Sequence, residues 1–97
     1  MDLAHFKQSV ADAAPPKLPS AVQALWWDAK GDWNRAHACA QQDRTQTGSS
    51  VHAYLHRKEG DTGNAGYWYA RAGRKMPAAS VTLEQEWEEI ARELLRG

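Results

Sequence analysis

The chain has little of what most functional signatures are built from. Its single cysteine, Cys39, excludes an internal disulfide framework and offers no zinc-finger spacing. An excess of one charge is missing too, because twelve basic and twelve acidic side chains cancel. A duplex-binding domain ordinarily carries a basic surplus to neutralise phosphates, so nucleic acid is not an expected partner. No apolar run approaches the roughly 18 residues that a membrane-spanning helix requires. The opening stretch MDLAHFKQSVADAAPPK has neither a basic n-region nor a continuous apolar h-region. No secretory signal is therefore expected, and a reducing cytoplasm is the expected compartment. No segment alternates apolar and polar residues for long enough to argue a strand. The glycines of GDTGNAG follow no strand and lack the Gly-Lys-Ser/Thr ending of a phosphate loop. No Ser/His/Asp arrangement can be placed, so neither catalysis nor a cofactor is expected.

What is present is a helical pattern. The 97 residues suit one domain, and an apolar content of 42% is ordinary for a globular one. Five tryptophans imply a core held by a few large side chains. Leu3, Phe6, Val10 and Ala13 form one stripe over residues 2–14, which Pro15, Pro16 and Pro19 bring to a stop. Ser20 caps a helix to Lys30 carrying Val22, Leu25 and Trp26, and Gly31-Asp32 ends it and caps the next, to Gln42. The polar stretch DRTQTGSS reads as a loop, and a fourth helix starts at Ser49 or Ser50. Gly60-Asp61 repeats the stop and cap before a fifth helix ending at Gly73. Thr82 with Gln85 makes a capping box for a sixth helix, over 82–96, with glutamates early and arginines late. The expected fold is all-α, with about six helices in a single domain over residues 1–97.

Slid against itself by 29 residues, the segment 20–40 matches 49–69 at six of twenty-one positions. Ser20, Val22, Ala24, Gly31, Asp32 and Ala36 meet Ser49, Val51, Ala53, Gly60, Asp61 and Ala65. Those are a cap, a stripe residue, a small contact residue, a turn pair and a second small contact residue. Such a period marks stacked helical hairpins. Ala53, Ala65, Tyr69 and Pro77 fall on the small, small, aromatic and proline positions of a tetratricopeptide repeat, and Ala65-Gly-Tyr-Trp-Tyr-Ala-Arg-Ala72 resembles the second helix of Sel-like repeats. The stretch HAYLHRKEGDTGNAGYWYARAGR is also similar to a small family of uncharacterised bacterial proteins. The resemblance implies two tandem hairpins, about 20–42 and 49–73, flanked by N- and C-terminal capping helices. It also implies a protein-interaction module or adaptor whose first helices line a concave groove. By position Leu25, Asp28, Tyr54, Arg57 and Lys58 would face that groove and meet a protein or peptide partner. The bases between His56 and Lys75 suit an acidic partner, and the acidic sixth helix also suits self-association.

One constellation competes with this reading. His52, His56 and Glu59 stand at i, i+4 and i+7, on a single helix face. A His-x3-His pair with a carboxylate one turn on could hold a metal or serve a small histidine-dependent enzyme. The plainer expectation has both histidines packed against the partner helix, hydrogen-bonded to Asn64, Tyr69 or a carbonyl, with no metal. His37 and Cys39, two apart, face different ways and make no thiolate–imidazole pair. Cys39 is expected to be a small buried apolar residue. Trp26, Trp33, Trp68 and Trp87 lie at core spacing, and Trp27 is expected on the second helix of its own hairpin.

Overall fold

The computed structural model describes residues 1–96. Its six helices are α1 (Leu3–Ser9), α2 (Ser20–Ala29), α3 (Trp33–Gln42), α4 (Gln46–Glu59), α5 (Thr62–Arg71) and α6 (Leu83–Leu95). No strand occurs among the described residues, and the all-α class is as expected. Among the described residues no helix is long and apolar enough to cross a membrane.

The two Gly-Asp turns are built alike. Gly31 and Gly60 sit at φ 86° and 88°, where a side chain would be strained. The N–H of Asp32 donates to Trp27 O at 3.0 Å, and that of Asp61 to His56 O at 2.9 Å. Each aspartate then caps the following helix, accepting from Arg35 N at 3.0 Å and Asn64 N at 3.2 Å. The Thr82–Gln85 capping box opens α6 as its sequence indicates.

Two helix boundaries differ from expectation. α1 stops at Ser9 rather than running to Ala14. The Ser9 hydroxyl donates to Phe6 O at 2.6 Å, and the backbone tightens into i→i+3 bonds through Asp12. α4 begins at Gln46, inside the stretch read as a loop. The Asp43 carboxylate accepts from Thr45 N at 2.9 Å and from the Thr45 hydroxyl, so the turn closes within three residues. Gly48 makes that closure fit: a Cβ there would lie 1.8 Å from the Asp43 carbonyl oxygen.

α2 packs on α3 and α4 on α5, with α3 against α4; α6 lies across α2 and α4, and α1 covers α6. Ala24, Ala36, Ala53 and Ala65 are fully buried where helices approach closely. Phe6, Val22, Leu25, Trp26, Val51, Leu55, Trp87 and Ile90 form the main core. Phe6 stacks on Trp87 at 5.8 Å, and the Trp87 indole donates to Leu25 O at 3.0 Å. Trp27 turns away, with the α3 guanidinium of Arg35 4.6 Å from its ring. Trp33 and Trp68 are only partly buried, unlike the core residues expected of them, and Cys39 is likewise partly buried.

The Gly48 contact gives a stability test. Gly48→Ala should destabilise the fold by roughly 1–3 kcal/mol, because the Asp43 backbone must move. Gly63→Ala, in open space on α5, should be neutral or stabilise by up to about 1 kcal/mol. Urea denaturation of both variants checks this, and equal midpoints would contradict it.

Candidate metal centre

The five residues expected to line an open groove do come together, but three of them are buried and a fourth, Arg57, is tied to α6. Leu25, Asp28 and Tyr54 are buried. Asp28 accepts from the Tyr54 hydroxyl at 2.7 Å and from Lys58 Nζ at 2.8 Å. Arg57 donates to Glu86 Oε1 at 2.8 Å and to the Val81 carbonyl. Glu86, only 3% exposed, also accepts from the Tyr69 hydroxyl at 2.5 Å. Burial, followed by the neighbouring Asp28 carboxylate, pushes the Tyr54 phenol well above its ordinary pKa. Burial and the bond to Glu86 do the same to Tyr69. Leu25, Asp28 and Tyr54 are thus enclosed in the fold and not open to a partner, contrary to the expectation for these three. Three bases hold the acidic α6: Arg57 at Glu86, Arg74 at Glu93 and Lys7 at Glu88. Only Lys58 keeps substantial exposure, at 40% of its side chain.

The opposite side of α4 carries the second constellation, and there the structure adds a residue. His52 and His56 lie one turn apart on α4, facing α3, where His37 meets them. The ligand atoms of His37, His52 and His56 all lie within 4.8 Å of one another. Nε2 of His52 and Nε2 of His37 are 2.8 Å apart, a hydrogen bond that requires one ring to donate and the other to accept. His56 Nδ1 is 3.2 Å from Glu59 Oε2, so donation to that carboxylate leaves Nε2 as its free lone pair. Asn64 and Tyr69, the partners expected for these histidines, bond instead to Asp61 and Glu86.

Two indoles bracket the imidazoles. Trp33 stacks on His37 at 4.8 Å with 12° between planes, and its Nε1 donates to Leu55 O at 3.0 Å, which fixes the ring. On the other side Trp68 of α5 stacks on His52 at 3.9 Å and 16°. His52 and His56 stack on each other at 4.9 Å. The cluster is therefore assembled from α3, α4 and α5, and each ring is held by a neighbour. A second group, His56 with Glu59 and Asp61, is also close enough to share an ion, but neither of its carboxylates is buried.

Desolvation is the main reason that the His52 pKa falls, to about 4, with His37 and His56 adding to it. His37 is lowered too, again chiefly by desolvation, then by His56. Both rings are neutral at pH 7, the state that ligates a metal. His37 was missed from sequence because it lies fifteen residues before His52 on a different helix. Its one signal was the i, i+4 spacing from Trp33, which gives α3 an aromatic edge. Comparison with protein-family models, curated proteins and solved structures finds no match.

The His52 shift fixes the sign of a pH effect in metal-free protein. The folded ring resists protonation while the unfolded one takes a proton near pH 6.5, so its stabilising contribution is present above that pH. It is lost as pH falls from about 6.5 to about 4. Melting temperatures with chelator should drop across that window, and the drop should be shallower in His52→Gln. An unchanged slope in the variant would contradict the assignment.

Proposed function

We propose that this chain is a small metal-binding helical domain, in which His37, His52 and His56 take a first-row divalent ion such as zinc. The observation that carries the reading is the convergence of three partly or fully buried imidazoles whose ligand atoms lie within 4.8 Å of each other. Imidazole suits zinc, copper, nickel and iron. Around zinc, bonds of about 2.0–2.1 Å place tetrahedral ligand atoms about 3.3 Å apart. The 2.8 Å separation of the His37 and His52 nitrogens needs only a small spreading to reach that. For both Nε2 lone pairs to face an ion, the ring that donates in the metal-free pair must shift its hydrogen from Nε2 to Nδ1, which gives up the hydrogen bond between the two rings. Glu59 behind His56 has the place of the carboxylate that commonly orients a metal-bound imidazole.

A second reading, a protein-interaction module resembling tetratricopeptide or Sel-like repeats, draws support from the twin turns at Gly31-Asp32 and Gly60-Asp61. With Leu25, Asp28 and Tyr54 buried, a partner of that module would use another surface, such as α5 around Tyr67, which is 53% exposed.

Metal binding is tested by loading purified protein with zinc, desalting it and counting ions by mass spectrometry. One ion per chain is expected, with a rise in melting temperature that chelator reverses. His37→Ala should weaken binding strongly, and Glu59→Gln by about 10- to 100-fold, with helix content unchanged by circular dichroism. No retained ion, or full retention in folded His37→Ala, would overturn the reading.

A further inference from the structure

Three neutral imidazoles satisfy three positions of a four-coordinate ion and leave one open. They also leave its two positive charges uncompensated, since none of the three is an anionic ligand. What can approach that open position depends on the walls of the groove between α3 and α5. His52 is also part of the wall of a pocket of about 420 Å³, bordered by Gln41, Arg44, Ser49, Trp68 and Arg71. That size suits a small molecule. The pocket lies one turn further along the same helices, for Gln41 follows His37 on α3 and Ser49 precedes His52 on α4.

The charges in this pocket are unevenly committed. Asp43, which also borders it, accepts the backbone N–H and the hydroxyl of Thr45 through Oδ1, so its one negative charge stands beside the two positive charges of Arg44 and Arg71. Neither Arg44 nor Arg71 pairs with a carboxylate among the described residues. Arg71 instead donates to the Tyr67 hydroxyl at 3.1 Å and lies 5.3 Å from the ring of Trp68, the indole that stacks on His52. Elsewhere in the fold Arg35, Arg57 and Arg74 meet carboxylates. Of the four arginines that pair with no carboxylate among the described residues, Arg44 and Arg71 border the pocket that His52 lines, while Arg92 and Arg96 belong to the C-terminal end of the chain. A guanidinium presents a planar fork of donors that matches carboxylate and phosphate oxygens.

We infer that the histidine centre binds a small oxyanion, a carboxylate or phosphate group, with one oxygen at the open metal position and the remainder held by Arg71 and Arg44. This rests on the metal reading above. Trp68 links the two halves, since it stacks on His52 and carries the Arg71 guanidinium on its ring. The Ser49 hydroxyl supplies a neutral donor on the α4 side.

Cobalt(II) tests this, because its visible absorption reports both the presence of the ion and any change in its ligands. Protein loaded with one equivalent of cobalt(II) is titrated with inorganic phosphate and, separately, with acetate. A saturable change in the cobalt bands is expected with at least one of them, and which one responds tells phosphate from carboxylate. The Arg44→Ala/Arg71→Ala double variant should bind cobalt(II) as the wild type does and need at least tenfold more anion for the same change. Arg71→Lys should lie between. If the cobalt bands form but neither anion moves them, or the double variant responds like the wild type, the oxyanion inference fails and metal binding stands. If no cobalt bands form in folded protein, both readings fall.

Discussion

α4 is buried along nine consecutive residues, Gly48 to His56, because α2, α3, α5 and α6 all pack against it. A helix covered on every side is ordinarily apolar all round. This one is not: its buried stretch contains Ser49, Ser50, His52, Tyr54 and His56, and Arg57 follows at once. Polar groups removed from water must find partners within the protein or cost several kcal/mol each. The rest of the architecture is a solution to that constraint, and no buried side-chain polar atom among the described residues is left without a partner.

The solution differs on the two sides of the helix. Toward α2 and α6, partners are charged and complete: Asp28 receives Tyr54 and Lys58, and Glu86 receives Arg57 and Tyr69. Removing one charged member of such a buried set leaves the other uncompensated, so the Glu86 network ties α6 to α4 and α5, and the Asp28 network ties α2 to α4. Toward α3 and α5 the partners are aromatic, with the Glu59 carboxylate at His56 as the one charged group. His52 has only another imidazole for its nitrogen, and indoles bracket the group. Two imidazole nitrogens meeting without a carboxylate is a weak way to satisfy buried polar atoms when stability is the only demand. As a set of converging lone pairs it is a good way to hold a cation. This contrast is why the functional reading rests on the histidine side and not on the groove.

Much of the fold was legible because it is written in local chemistry. Gly31-Asp32 and Gly60-Asp61 announce two turns, and Thr82 with Gln85 announces α6. The errors arose where distant contacts decide. The start of α4 was hidden because Gly48-Ser49-Ser50 looks like loop, whereas the glycine is there to clear the Asp43 backbone. The burial of Leu25, Asp28 and Tyr54 depends on where α6 docks, and its acidic face gave no direction. Of the site, the pair His52 and His56 could be read from their spacing on one helix. The third member, His37, arrives only through the packing of α3 on α4, as do Trp33 and Trp68.

Three imidazoles from two helices sharing one ion would give the metal a first shell unlike that of any surface site. X-ray absorption spectroscopy of the zinc-loaded protein reads that shell directly. About three nitrogen ligands near 2.0–2.1 Å are expected, with the outer-shell scattering of imidazole rings, falling to two rings in folded His37→Ala. A first shell without imidazole scattering, or one that His37→Ala leaves unchanged, would contradict the shared ion.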